Sequence, residues 1–193
     1  MVKFTSKMIY ENELGGISMK ESMLLKKICS IYADDLHFAT MIFPFIHKEV
    51  EKNTTIKTIL EKDEEENIEK ILKNIGLNSE VKEEISKIDW KSTNINKIRN
   101  NFKLLEKSIK NKERIDIIVS GRNEFIRKVN QAIDLWIKNH IENLEKSGIE
   151  LKIINCFCFD DNKNADCIID EHDYILRTSG LEEILGRELL KAN

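Results

Sequence analysis

Proline occurs once in this 193-residue sequence, at Pro44, and glycine only seven times. Turn-forming residues are scarce, which favours long regular elements joined by short turns. Long hydrophobic runs are missing too. The longest charge-free apolar stretch, Leu36 to Ile46, falls far short of the roughly 20 residues that cross a bilayer. Residues 1–16 lack an apolar signal core and carry Glu11 and Glu13. No secretory signal and no membrane association are therefore expected, and the expected location is cytoplasmic. No CxxC pair occurs among Cys29, Cys156, Cys158 and Cys167, so the thiols read as reduced rather than as a disulfide framework. Neither GxxxxGK(S/T) nor GxGxxG is present anywhere, which removes ATP hydrolysis by a phosphate loop. A net charge of −3 argues against wholesale nucleic-acid binding.

What is present is the composition of a packed chain, 41% apolar and 34% charged, which excludes a disordered tail. Lys27 to Tyr32 is β-rich, and the acidic Asp34-Asp35 after it suits the first turn of a helix. Leu36, Ala39, Ile42, Phe43, Ile46 and Val50 recur at three- and four-residue spacing, one helical face with a kink expected at Pro44. Thr54 to Leu60 reads as a second strand, and Asp63 to Glu66 open a helix closed by Gly76. Residues 79–86 form a short amphipathic turn or helix, and Lys87 to Ser92 a weak third strand. Ile95, Ile98, Phe102, Leu105 and Ile109 mark a long helix, and Ile115 to Ser120 the best strand. A strong helix from Phe125 to Leu144 stops at Ser147-Gly148, and Ile149 to Phe159 is a fifth strand. Two final stretches, through Ile168 to Leu176 and Leu181 to Leu190, read as helical. This alternation asks for an α/β fold with a mainly parallel five-stranded sheet and helices on both faces. It reads as a single domain over residues 23–193 with an N-terminal extension over 1–22.

Ligands of an open parallel sheet bind beyond the carboxyl ends of its strands. Tyr32 to Asp35, Glu61 to Asp63, Ser92-Thr93, Ser120 to Asn123 and Asp160-Asp161 are expected there, with Tyr32, Asp34, Asp35, Ser120, Gly121, Arg122, Asn123 and Asp160 as the candidate ligand-binding residues. The turn Tyr32-Ala33-Asp34-Asp35 has no glycine and two carboxylates, so it repels phosphate. Ser120 to Asn123 is the most site-like turn: glycine permits a sharp bend, the next helix offers free N–H groups, and Arg122 is a fork donor. The alternative there is an ordinary strand-to-helix turn with a solvated arginine. Cys156, Cys158, Cys167 and His172 are residue types that bind zinc, but they lack the tight knuckle spacing. The competing reading makes Cys156 and Cys158 small core side chains and leaves His172 exposed among Asp170, Glu171 and Asp173. No metal and no cofactor are assigned. His37, His47 and His140 show no i, i+4 pair, and the carboxylates mostly lie in helical surface runs, so no catalytic residue is assigned.

Residues 91–114 hold eight Lys or Arg against two Glu, whereas residues 61–90 are acidic by ten to five. Arg99, Lys103, Lys107, Lys110 and Arg114 form a stripe opposite the apolar face of the helix predicted there. A solvated surface explains the stripe, and an acidic partner protein could also dock on it. Direct nucleic-acid binding is disfavoured, because no helix-turn-helix accompanies it.

Several segments in order carry a resemblance: Ile28-Cys29-Ser30-Ile31-Tyr32 with Asp34-Asp35, Phe43-Pro44-Phe45-Ile46, Ile117 to Gly121, Ile154 to Asp160, and Ile175-Leu176-Arg177-Thr178. Over roughly residues 24–180 the chain resembles the MEDS domain, the methanogen/methylotroph DcmR-type sensory domain. The resemblance implies a degenerate RecA/KaiC-like α/β fold without a phosphate loop, and it adds Arg177 to the candidate ligand-binding residues. It also implies a sensory role: a stand-alone module binding a small molecule or a regulatory partner such as a histidine kinase or transcription regulator, with homodimerisation open. Lys27, Arg122 and Ser179 stand where the family often has a histidine, an acidic residue and a histidine. Two other classes stay open. One is a small enzyme using Asp34, Asp35, Asp160 or Arg122, and the other an interaction module acting through the basic helix 94–114.

Overall fold

A computed structural model describes residues 24–91, Ile98, Phe102, 114–159 and 165–184. The chain forms β1 (Leu24–Tyr32), α1 (Asp35–Val50), β2 (Thr54–Leu60), α2 (Lys62–Asn74), α3 (Ser79–Ser86) and β3 (Arg114–Ser120). There follow α4 (Asn123–Ser147), β4 (Glu150–Cys158), α5 (Ala165–Asp170), β5 (Tyr174–Arg177) and β6 (Gly180–Glu183). The strands make one sheet in the order β2-β3-β4-β1-β5-β6, parallel except for β6, which runs antiparallel to β5. The α/β class and the mainly parallel sheet agree with the sequence, with six strands in place of five.

Both faces of the sheet are buried, which is why β3 and β4 read as nearly continuous apolar runs rather than alternating ones. Even-numbered positions such as Ile28, Leu60, Ile118 and Ile154 pack with α1, α2 and α3. Odd-numbered positions such as Cys29, Ile117 and Ile153 pack with α4, Ile98, Phe102 and α5. The connection after β1 therefore leaves by one face, and those after β3 and β4 by the other. β1 and β4 lie side by side, so the sheet's topological switch point falls between them. Asp34 caps α1 by accepting the His37 N–H at 2.8 Å. Gly148 ends α4 with a left-handed backbone, φ +64°.

Two expected elements differ. Lys87 to Lys91 is not a strand. Lys87 closes α3, and Trp90 is buried with its Nε1–H donating to the Ile85 carbonyl at 2.8 Å. The Thr58 hydroxyl donates to the Asp89 carbonyl, so this segment covers the sheet instead of joining it. The stretches read as terminal helices are instead α5 followed by a hairpin, β5–β6. Adjacent Ile175 and Leu176 each bury against a different face of the sheet, a requirement of a strand, and Gly180 at φ +121° turns the chain back. The stretch from Leu185, the extension 1–22, and Arg99, Lys103, Lys107 and Lys110 lie outside the described residues.

Candidate functional site

The carboxyl edge of the sheet gathers the ends of β1, β2, β3 and β4, because these strands are parallel and in register. Tyr32 lies beside Cys158, and Leu60 beside Ser120. The buried Tyr32 and Ser120 side chains meet at one carboxylate, that of Glu64 in the first turn of α2. Ser120 Oγ donates to Glu64 Oε2 at 3.0 Å, and the Tyr32 hydroxyl donates to the same oxygen at 3.4 Å. Burial pushes the Glu64 pKa up, against the hydrogen bonds from Ser120 and Tyr32, and nearby Asp35 and Glu61 add to the rise. Burial, and then the Glu64 charge, also hold the Tyr32 phenol protonated.

Beside this group, the Gly121-Arg122 turn is closed by a second carboxylate. Glu61 accepts the Arg122 backbone N–H at 2.7 Å and the Arg122 Nε–H at 2.9 Å, and it pairs with the guanidinium. The hydrogen bond from Arg122 holds the Glu61 pKa below the usual carboxylate range, against partial burial. A Cβ on Gly121 would sit 2.7 Å from Glu61 Cβ and 2.9 Å from the Phe125 ring, at φ +153°. This turn needs glycine for both room and backbone conformation. Asn123 is the first residue of α4 and half-buried.

The turn after β1 binds two of its N–H groups with its own side chains. Besides the Asp34 cap, the Ala33 N–H donates to His37 Nδ1 at 3.1 Å. Asp34 and Asp35 are exposed there, and so are two large apolar side chains, Leu36 at 63% and Phe159 at 56%. Phe159 directly follows the residue paired with Tyr32, so it stands at the switch point.

The structure thus brings Tyr32, Ser120, Gly121 and Arg122 together, with Asp34 and Asp35 at the adjoining turn. Arg177 is separate. It ends β5 on the opposite face of the sheet, exposed, with its Nε 3.1 Å from Glu182 Oε2. Asp160 lies outside the described residues. The sequence reading places Glu61 at this edge but gives it no role, and it misses Glu64; these two residues organise the edge. Their signal is the spacing of three just after β2, which turns both toward the neighbouring strand end rather than to solvent.

The zinc-type residues divide between the two faces. Cys156 is buried on the α1 side, with its thiol pKa raised by burial. His172 is 3% exposed, not a surface residue, and edge-on to Phe157 on the α4 side. Its Nδ1–H donates to the Ile168 carbonyl at 2.6 Å, and its Nε2 accepts from Asn155 Nδ2 at 2.9 Å. Burial lowers its pKa, in keeping with that neutral tautomer. Among the described residues no three His, Cys, Asp or Glu side chains cluster as metal ligands. No helix among the described residues is long and apolar enough to cross a membrane. No family model matches the chain, and neither does any curated protein or solved structure.

Proposed function

We propose that this chain is a non-catalytic sensory module that binds, at the switch point between β1 and β4, a small molecule with an apolar body and a neutral or cationic head. One observation carries the reading: the two anion-binding features beside the switch point, the N–H groups at the start of α1 and the Arg122 guanidinium with its backbone N–H, are engaged by the chain's own side chains. Asp34 and His37 take N–H groups at the start of α1, and Glu61 takes the Arg122 guanidinium and backbone N–H. At the β1–β4 end the described residues exposed outward include Asp34 and Asp35, Leu36 and Phe159, carboxylates beside apolar surface. A phosphate ligand would meet repulsion there, and the Arg122 guanidinium that could balance a phosphoryl-transfer transition state is held by Glu61. The buried Ser120 hydroxyl donates to a carboxylate rather than to a base poised for attack. The resemblance to the MEDS domain points to the same sensory role, with a kinase or transcription regulator as the downstream partner.

Native mass spectrometry of protein purified from its host, paired with calorimetry against magnesium ATP, tests the reading. The expected results are a retained neutral or cationic small molecule, depleted at least tenfold by Phe159→Ser, and ATP binding no tighter than about millimolar. A retained phosphorylated ligand, or micromolar ATP binding, overturns it.

A further inference from the structure

At the opposite, amino edge of the sheet, three charged residues are sealed under the end of α1. β3 and β4 place Asp116 beside Lys152, and β1 places Lys26 on the other side of Lys152. Lys152 is 5% exposed, Glu49 of α1 4% and Asp116 1%. Lys152 Nζ donates to Glu49 Oε2 at 2.6 Å but stands 3.8 Å from Asp116 Oδ1 and 3.9 Å from Glu150 Oε1. Glu49 also accepts from Lys52 at 2.8 Å and from the Thr54 hydroxyl at 3.4 Å. Asp116 has neither carboxylate oxygen hydrogen-bonded among the described residues.

A buried carboxylate without a hydrogen bond is far more costly ionised than protonated. One ammonium group is thus set between two carboxylates that differ in their claim on it. We propose that Asp116 is a proton-gated competitor of Glu49 for Lys152, a switch built into the amino edge of the sheet. With Asp116 protonated, Lys152 belongs to Glu49, and Glu49 ties the end of α1 to β4 and to the turn before β2. When Asp116 releases its proton to solvent, the cluster gains a negative charge and no new cation. Lys152 then moves toward Asp116, and the Glu49 tether slackens.

The groups around Asp116 support this division. From α1 and its following turn come Glu49 and Lys52, and from β4 Lys152 and Glu150. From β3 comes Arg114, and from β1 Lys26. Lys26 and Arg114 lie 3.3 Å and 3.7 Å from Glu150, so they serve that residue and leave Lys152 as the cation shared by the buried pair. β2 adds Thr54 and no titratable side chain on this face. Burial, opposed by Lys152 and reinforced by Glu49, pushes the Asp116 pKa up to about 7, which places the switch in the neutral range.

Carboxyl carbon-13 shifts of Asp116 and Glu49, followed from pH 5 to 9 in the intact protein, test the proposal. Asp116 should titrate within about one unit of neutrality, and the Glu49 signal should move with the same midpoint. Amide exchange over residues 51–54 should quicken above it. Asp116→Asn, a neutral near-isostere, should remove the Glu49 step while leaving the circular dichroism unchanged. An Asp116 midpoint below pH 5, or a Glu49 signal unmoved across the Asp116 step, overturns the proposal. These wild-type readings decide it even if the variant does not fold.

Discussion

At the scale of single residues, burial sorts the ionisable groups into those with opposite demands on pH. His172 is depressed by burial, so its contribution to stability is complete above the ordinary histidine range and is lost as pH falls through its lower folded value. Asp116 is raised from 3.8 to about 7. Its folded form binds the proton more tightly, so stability is complete below about pH 4 and declines as pH rises toward 7. Chemical denaturation from pH 4 to 8 separates the two by difference. Asp116→Asn should unfold at higher denaturant than wild type at pH 8, with the advantage shrinking toward pH 4. His172→Gln should flatten the acid side only, and a variant curve parallel to wild type would remove that residue from the account. At Gly121, alanine meets both a left-handed backbone and the Glu61 and Phe125 side chains. Gly121→Ala should destabilise by about 1–3 kcal/mol, read as a lower urea midpoint at unchanged slope.

At the scale of elements, α4 shows how an apolar stripe becomes an anchor. Ile126, Val129, Ile133, Trp136, Ile137 and Leu144 are all buried, and the Trp136 ring stacks on Phe102 with centroids 5.4 Å apart. Trp136→Ala should therefore cost about 3–5 kcal/mol, measurable by urea denaturation whatever ligand is present. This helix was legible in the sequence, with its stop at Ser147-Gly148, because a 3.6-residue period sustained over about five turns leaves little alternative. β2, β3 and β4 were legible for a related reason, as apolar β-branched runs bounded by turn residues. The hairpin β5–β6 was not. Four-residue strands are too short to show a period, and the spacing of Leu181, Ile184 and Leu185 also suits a helix. The false strand at Lys87 to Ser92 arose because Ile88 and Trp90 alternate with polar residues. Their burial comes from lying across the sheet, which no local pattern records. The candidate edge followed from strand order, and Glu61 with it, but the roles of Glu61 and Glu64 did not. Glu61 and Glu64 sit in an acidic run in which Asp63 and Glu66 are exposed, and only the β2–β3 register singles them out.

At the scale of the whole molecule, β1, one of the two central strands, is the first of the described strands to be made. β1 pairs with β4 on one side and β5 on the other, both from the C-terminal part of the chain. A fragment ending at Gly148 lacks both neighbours of β1 and the core side chains they bring, among them Ile153 and Phe157 on one face and Ile154 and Cys156 on the other. It should show no cooperative unfolding transition by circular dichroism in urea, whereas a cooperative transition would reveal that β2, β3 and the helices form an independent unit. The same strand order bears on biosynthesis. An apolar strand leaves the ribosome on the order of a hundred residues before its first partner, a wait of roughly ten seconds at bacterial elongation rates. Through that interval Ile28, Ile31 and Tyr32 have no sheet to enter, so the nascent chain is a client for whatever chaperone meets it at the exit tunnel. Synonymous codons that slow translation between β1 and β4 would lower the soluble yield without altering the finished protein.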